Sequence, residues 1–422
     1  LYRLHQDGVP VRVWTLTTPI LSTVVGHSEY AKLLEEIRAH LPVSRILVST
    51  LIGHSLDIYK MGLPIIHILH DYYPWCPPLY ATWETPCQSC NSDRMTQCLV
   101  ENDAHRFFRD AQTSQFLAVR DAFVDCIAKS DAKLVAPSES VAQRWRGLST
   151  GFADTNIAII AHGLSPDLLS GFDSTPVIPA AKERLRVVVI GSLAPHKGGA
   201  LLEAALDAIT AFADLHLIGC GSEDMPVKTR PGVVMVESYV ASELPALLAD
   251  AAPDVALLLS VVPETFSYTL SEIHAANIPC VATNLGAFAD RIVDDETGFL
   301  IDVTPQALVA QLTLLNLDRG RLAKVRQNLA AQQPRLISEM VADYAVVSAG
   351  LLAYQRPRWP MLPVGEAAPK VFIGPELTYR DALCGFLAYS LDKVRQSPRL
   401  PAWMRGLLSA LLRRLIRFLC ER

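Results

Sequence analysis

Long apolar runs are missing from this chain. Crossing a bilayer takes about 18–20 apolar residues in a row, and the longest stretch, Val255 to Val262, is only strand-sized. No basic region followed by an apolar core opens the chain, so no secretory signal is visible. A strong excess of charge is also missing. Lys and Arg total 38 against 43 Asp and Glu, a net −5, which speaks against a general nucleic-acid binder. Cysteine is sparse: nine in 422 residues, an odd number, mostly single in apolar surroundings. That favours reduced thiols in a cytosol over a disulfide framework. Low-complexity segments are absent, as are internal repeats apart from one restart of the pattern described below. What is there is apolar: 50% of residues, with 19% charged, a composition that excludes a disordered chain. At about 100–200 residues per domain, the length suggests two domains and an appendage.

Short β-branched runs alternate with amphipathic stretches. Val11–Leu16, Ile46–Leu51, Pro64–Leu69, Lys133–Ala136 and Ile157–Ala161 read as buried strands, with helix-period segments such as Glu29–Ala39 and Ser138–Arg146 between them. Such alternation needs crossover connections and gives parallel sheets covered on both faces. The pattern restarts after Gly163–Arg184, which holds Pro166, Gly171, Pro176 and Pro179 and reads as a linker. Strands then follow at Leu185–Ile190, Leu215–Ile218, Val233–Val236, Val255–Leu259, Cys280–Ala282 and Phe299–Ile301. The expected fold class is α/β, with two doubly wound Rossmann-like domains facing a cleft at their carboxyl strand ends. The expected domains are 1–178, 179–345 and a helical extension 346–422. Leu1–His5 reads as a helix end capped at Gly8. The strand and Gly-rich turn that would precede it in a doubly wound domain are absent. We therefore expect either a fragment or a first βα unit lying outside these residues.

Three segments could carry chemistry. Pro263 to Glu272 follows a buried strand and opens a helix, with Glu264 in the loop and Glu272 one to two turns into the helix. A carboxylate accepts two hydrogen bonds from vicinal hydroxyls, so the pair suits a sugar ring and a ribose of one extended ligand. Backbone N–H groups of Phe266 and Ser267 at the helix start could hold a phosphate between them. The plainer reading is a Glu favoured by the helix dipole plus an exposed helix Glu. Gly191 to Gly199 also joins a strand to a helix. It matches neither the phosphate-loop pattern nor the dinucleotide fingerprint, yet Lys197 beside glycines is placed to neutralise a pyrophosphate. An ordinary turn with a solvated Lys is the alternative. His70 in Leu69-His70-Asp71-Tyr72-Tyr73 stands at a carboxyl strand end, where it could hydrogen-bond a sugar hydroxyl or a transferred group, or simply fill a turn.

On these residues, 185–302 resemble the donor half of the family four retaining glycosyltransferases, which have the GT-B fold. The motifs are the E-x7-E pair Glu264/Glu272, Gly286, Glu296-Thr297-Gly298-Phe299-Leu300, Gly191 to Lys197-Gly198, and Gly219-Cys220-Gly221. The first domain, with His70-Asp71-Tyr72-Tyr73 and Cys76-Pro77, is similar to bacterial members that build surface polysaccharides. The likeness covers roughly residues 1–356 and is specific over 255–300. It implies a metal-independent, retaining hexosyltransferase that moves a sugar from a nucleotide sugar to a growing polysaccharide or lipid-linked glycan. No cofactor and no metal would be required. Catalytic roles fall on Glu264, His70 and Lys197. Glu264 would meet the donor sugar, Glu272 the ribose and Lys197 the diphosphate. Thr265, Phe266 and Ser267 would lend backbone donors to the phosphates, Tyr239 and Val240 would meet the base, and His70 would touch the sugar from the opposite domain. Ser192 joins this donor-binding set but departs from the family, which usually has an Arg there to share the diphosphate with the Lys. The first Gly-rich loop of the family is missing too. Two other readings follow: a catalytically impaired module binding nucleotide or glycan, and a nucleotide-sugar epimerase.

Cys76, Cys87, Cys90 and Cys98 share a Pro- and Trp-rich loop over 74–100. Cys87-Gln88-Ser89-Cys90 has the spacing of one half of a structural zinc site, and a long structureless loop needs a staple or a function. Zinc, reduced buried thiols and a redox pair are all open. In the tail, 403–420 has helical period, with Leu407, Leu408, Leu411, Leu412, Leu415, Phe418 and Leu419 to one side and Arg413, Arg414 and Arg417 to the other. Residues 401–422 hold five Arg and one Glu, against −5 for the whole chain. That suits a helix resting on an anionic membrane surface, or one docked on protein. The expected location is cytoplasmic, with this helix on the inner face of the membrane.

Overall fold

The computed structural model describes residues 2–6, 9–87, 90–102, 112–130, 132–172, 184–221, 231–348 and Leu408. They fall into two compact units. The smaller includes Leu1–Pro19 and Glu35–Leu41. Here β1 (Tyr2–Gln6) pairs antiparallel with β2 (Val9–Trp14), Tyr2 opposite Trp14, with a register shift between Leu4 and His5. The helix end expected at Leu1–His5 is thus a strand, and the expected strand Val11–Leu16 lies in a hairpin instead of a parallel sheet. The sequence carries the reason: Asp7-Gly8 is a strong two-residue hairpin signal, while five residues are too few to hold helical structure by propensity. Arg12 and the Trp14 indole both donate to Glu36 of α1 (Ser28–His40), at 3.0 and 2.9 Å.

The larger unit, Ile20–Leu34 and Pro42–Gln355, is built on two parallel sheets. Its first half holds a short pair, β3 (Thr23–Val24) with β5 (His54–Ser55), and a main sheet in the order β10-β9-β6-β4. These strands are β4 (Ile46–Val48), β6 (Ile65–Ile68), β9 (Ala132–Ala136) and β10 (Ile157–Ile159). Between β6 and β9 come β7 (Thr82–Trp83), β8 (Thr85–Pro86), α2 (Ser92–Glu101) and α3 (Thr113–Lys129). The stretch 74–100, expected to be a structureless loop, therefore contains a hairpin and a helix, with Cys98 on the helix. After β9 come α4 (Glu139–Leu148) and, past β10, α5 (Pro166–Leu169).

Because the strands step one way across this sheet, right-handed crossovers put α3 and α4 on one face. Phe116, Phe123, Val141 and Trp145 there pack on Ile65, Leu134 and Ile157. Ile66, Val135 and Ile160 point the other way, and Met340, Tyr344 and Val347 of α12 (Ile337–Val347) cover them. The far end of the unit thus completes the core of its beginning.

The second half has six parallel strands in the order β13-β12-β11-β14-β15-β16. They are β11 (Leu185–Ile190), β12 (Ala213–Ile218), β13 (Val233–Val236), β14 (Val255–Leu258), β15 (Cys280–Thr283) and β16 (Phe299–Ile301). Its helices are α6 (Gly199–Thr210), α7 (Leu244–Ala251), α8 (Tyr268–Ala275), α9 (Ala287–Arg291), α10 (Pro305–Leu317) and α11 (Arg319–Ala330). β11 is buried along its whole length and apolar except for Arg186, whose guanidinium pairs with buried Asp254 at 3.4 Å. Val187 and Val189 pack toward α6 and α10, while Val188 and Ile190 pack toward α7 and α8. Each such side chain contributes about 1.5–3 kcal/mol on burial. The strand order reverses between β11 and β14, the point where open sheets leave a crevice at their carboxyl ends. No described helix is long and apolar enough to cross a membrane. The expected basic helix at 403–420 lies outside the described residues, Leu408 excepted.

Candidate functional site

The crevice is formed by the turns leaving β11 and β14. After Gly191 and Ser192, a single turn at Pro195–Lys197 leads to Gly198 and α6. Gly198 has φ +84, and a Cβ there would lie 2.0 Å from the Leu259 carbonyl oxygen. Only glycine lets the Lys197 turn sit against the end of β14. Two hydrogen bonds onto the His196 carbonyl hold it there, from Ser260 Oγ at 3.1 Å and Val261 N at 3.0 Å. From this base Lys197 Nζ donates to Glu264 Oε1 at 2.6 Å. The Glu264 side chain is 13% exposed and that of Lys197 41%. The carboxylate is thus set into the wall and the ammonium reaches it from the open side. The pair lines a cavity of about 90 Å³ with Ser192, Ser260, Ser267 and Thr269.

Glu264 is fixed from behind. Gly286, with φ +54, abuts it so closely that a Cβ would lie 2.5 Å from the Glu264 carbonyl oxygen, and Ala287 N donates to that oxygen at 2.8 Å. The next turn is under backbone strain: Ser267 has φ +68. Its hydroxyl caps α8, accepting from Leu270 N at 3.2 Å. Arg291 holds the turn. It donates to the carbonyls of Phe266 and Ser267 and, at 2.7 Å, to the Ser271 hydroxyl, with its guanidinium 3.9 Å from the Phe266 ring centroid. Burial lowers Arg291 to about 10. Glu272 lies one turn into α8, and burial raises its carboxyl. Burial raises the Tyr239 phenol too, and the Glu272 carboxylate adds to the effect, so the two face one region. Thr265 is half-buried between Glu264 and Phe266. Val240 is 61% exposed, and its N–H is held by Glu243 Oε2 at 2.9 Å.

The first half supplies histidines. His70 follows β6, and its ring lies 5.5 Å from that of His162, which follows β10. His162 in turn stacks on Tyr268 (5.2 Å, 4° between planes) and meets Phe266 edge-on at 4.7 Å. The carboxyl ends of the first sheet thus meet the start of α8. Burial first, then the charges of His70 and Arg291, lower His162 to about 4, and burial lowers His70. Burial raises neighbouring Asp71 to about 6. A wider cleft of about 340 Å³ opens beside Gly286, between Tyr72 and Arg144 of the first half and Pro263, Asn284 and Leu285 of the second.

The structure therefore brings together Ser192, Lys197, Glu264, Thr265, Phe266 and Ser267, with Tyr239 and Glu272 grouped nearby. His70 joins through His162. The sequence reading passed over His162 and Arg291. His162 could have been found by applying to β10 the logic used for His70, a histidine just past a carboxyl strand end. Arg291 had no signal, since only the fold brings α9 under the 266–267 turn. Among the described residues no group of three His, Cys, Asp or Glu side chains is placed to hold a metal ion. Cys76, Cys87, Cys90 and Cys98 are free thiols around one small apolar cavity.

Residues 184–318 match the family model Glycosyl transferases group 1. A GDP-mannose-dependent alpha-mannosyltransferase of Mycolicibacterium smegmatis is 31% identical over 195 residues, covering 42% of this chain and 50% of that protein. The chain thus spans about half the length of that relative. Among solved structures, sucrose-phosphate synthase of Thermosynechococcus elongatus aligns with TM-score 0.52 at 14% identity, covering 76% of this chain and 77% of that one. Anabaena Alr3699/HepE, solved with UDP and glucose, aligns with TM-score 0.52 at 18% identity, covering 82% and 87%. At such identities these two show the fold alone. The fold is GT-B, and residues 184–318 form a Glycosyl transferases group 1 domain.

Proposed function

We propose that this protein is a retaining glycosyltransferase that moves a hexose from a nucleotide sugar to a glycan or lipid-linked acceptor. The observation that carries the reading is the Lys197–Glu264 pair at 2.6 Å, seated at the strand-order reversal with Glu272 and Tyr239 beyond it. An ammonium on an open turn suits a diphosphate, and a carboxylate fixed in the wall suits sugar hydroxyls. Glu272 on α8 suits a ribose, and Tyr239 and Val240 suit the base. Turnover breaks the bond between the anomeric carbon and the diphosphate oxygen, forms one to the acceptor oxygen, and passes the proton of the acceptor hydroxyl to the leaving diphosphate. Charge builds up on the leaving diphosphate, where Lys197 and the amides opening α8 can stabilise it. His70 reaches the sugar from the opposite strand end. The Mycolicibacterium relative named for GDP-mannose and the Anabaena structure holding UDP and glucose support the class of donor without fixing its base. We place the reaction in the cytoplasm at the inner membrane face, on the strength of the basic, helix-period sequence at 403–420.

The test is calorimetry with UDP, GDP, ADP and TDP and then their hexose conjugates, followed by detection of released nucleoside diphosphate with a glycan product. Micromolar binding of one diphosphate and its release on transfer are expected. A protein that binds none of them refutes the reading. Binding without transfer to any acceptor would favour the impaired module, which Ser192 in place of an arginine keeps in view.

A further inference from the structure

The cysteine loop stands outside the machinery described above, yet its tip reaches into it. Tyr80, from this loop, stacks its ring on that of His196, the neighbour of Lys197, at 5.0 Å and 24° between planes. It is presented by unusual backbone. The residues on either side, Leu79 (φ +74) and Ala81 (φ +48), both adopt the left-handed region that side chains rarely occupy. Such strain persists only where the surroundings over-determine it, and it concentrates at functional sites.

Here the surroundings are visible. Tyr72 N donates to the Leu79 carbonyl at 3.0 Å, Cys87 N to that of Ala81 at 2.8 Å, and Thr82 Oγ1 to that of Tyr80 at 3.0 Å. Ala81 is 1% exposed and lines the apolar cavity with Cys76, Cys87, Cys90 and Cys98. Buried Arg120 locks the base of the loop, donating to the carbonyls of Trp75 at 2.6 Å and Cys90 at 3.0 Å. The thiol cluster thus acts as a dry foundation that holds a strained turn in one shape. Burial raises the Tyr80 phenol, and the carboxylates of Glu264 and Asp71 raise it further, so both acids lie within electrostatic reach of the ring that stacks on His196.

We propose that Tyr80 is a specificity-determining residue: its phenol hydrogen-bonds the transferred hexose opposite Glu264, and the cysteine loop exists to hold it there. This rests on the donor-cleft reading of Lys197 and Glu264. A phenol can donate to one sugar hydroxyl and accept from another, while Glu264 can only accept. The two together read the pattern of hydroxyls around a ring rather than its mere presence.

The experiment compares wild type, Tyr80→Phe and Tyr80→Ala by calorimetry, using the nucleoside diphosphate that binds best and its hexose conjugates. Tyr80→Phe keeps the stack on His196 and removes only the hydroxyl. It is expected to leave the diphosphate Kd within about twofold and to weaken the preferred conjugate by about three- to tenfold, the loss of one hydrogen bond. Discrimination between epimeric hexoses should narrow by the same factor. Tyr80→Ala should weaken the conjugate more than the diphosphate. Equal losses for both ligands in Tyr80→Phe would mean a structural role and overturn the proposal, as would unchanged discrimination. A wild-type protein that binds no nucleoside diphosphate refutes the donor-cleft reading itself, and this proposal with it.

Discussion

Lys197 pairs with Glu264 at 2.6 Å, and this fixes the sign of two substitutions. The ammonium is 41% exposed, so its contact with a diphosphate is partly screened, and the lower part of the range for a charged hydrogen bond applies: about 1.5–2 kcal/mol of the 1.5–3 seen generally. Lys197→Ala should therefore weaken nucleoside diphosphate binding by about ten- to thirtyfold. It should leave binding of the parent nucleoside unchanged. Glu264→Gln acts the other way on the same ligand. The carboxylate sits in the wall at 13% exposure, close to where Lys197 meets phosphate, and two negative charges there repel. At an effective dielectric of about 40 and a separation of about 6 Å, that repulsion is on the order of 1 kcal/mol. Glu264→Gln should tighten the diphosphate by about two- to tenfold while lowering turnover at least a hundredfold, because the amide replaces a sugar-orienting acceptor. The assay is calorimetry with diphosphate, nucleoside and each variant at two salt concentrations, plus product release for turnover. Weaker diphosphate binding in Glu264→Gln would refute the argument that the pair opens onto phosphate. Unchanged binding in Lys197→Ala would remove the ammonium from the site.

Glu272→Ala should weaken a nucleoside diphosphate by about three- to tenfold but spare inorganic pyrophosphate, which lacks the ribose; competition between the two reads this directly. Gly198→Ala forces a Cβ against the Leu259 carbonyl oxygen at φ +84 and should cost about 2–4 kcal/mol of stability, visible in chemical denaturation, with diphosphate binding lost alongside. Stability should fall on acidification from about pH 6.5 toward 4. Burial holds His162 and His274 down to about 4 and His67 to about 3, below the usual 6.5, so the unfolded chain takes up protons first in that window. Asp71, raised to about 6, opposes this, its contribution being lost as pH rises through 6, but one carboxyl faces three imidazoles. Calorimetric melting across pH 4–7 measures the slope, and His162→Phe, which keeps a ring against Tyr268, should flatten it.

What could be read ahead of the structure followed from how local each signal is. The strands of the second sheet were legible because Val187–Ile190 and Val255–Leu258 are unbroken β-branched or aliphatic runs buried on both faces, a pattern no surface element shares. The positions of Glu264 and Lys197 were legible for the same reason: each follows such a strand, and the reversal of strand order places those two turns side by side. The hairpin of Tyr2–Trp14 was misread because alternation over five residues is weak, and the deciding Asp7-Gly8 turn signal was taken for a helix cap. In the cysteine loop the spacing left zinc, buried thiols and a redox pair open; the structure adds what spacing could not show, a hairpin and a helix with the thiols around an apolar void and Arg120 bracing the base.

His162, Arg291 and Tyr80 belong to a different class. Each acts through a neighbour far away in sequence: Tyr268, the 266–267 carbonyls and His196. A carboxylate that must touch a ligand can be guessed from its place after a strand. A side chain that aims another, or crosses from one half of the unit to the other, is defined by packing between elements, and no spacing in one sequence encodes it. Ser192 shows the consequence: the resemblance registers it only as a deficit. The structure shows a half-buried guanidinium, Arg291, bracing from behind the turn that begins α8. If that bracing substitutes for part of what an arginine at 192 would supply, Arg291→Lys should weaken diphosphate binding more than it lowers the melting temperature would suggest, because one ammonium cannot hold two carbonyls, a hydroxyl and a ring at once. Equal affinity in that variant would leave Lys197 as the sole cation acting on the diphosphate among the residues discussed, and the deficit at Ser192 would then stand uncompensated.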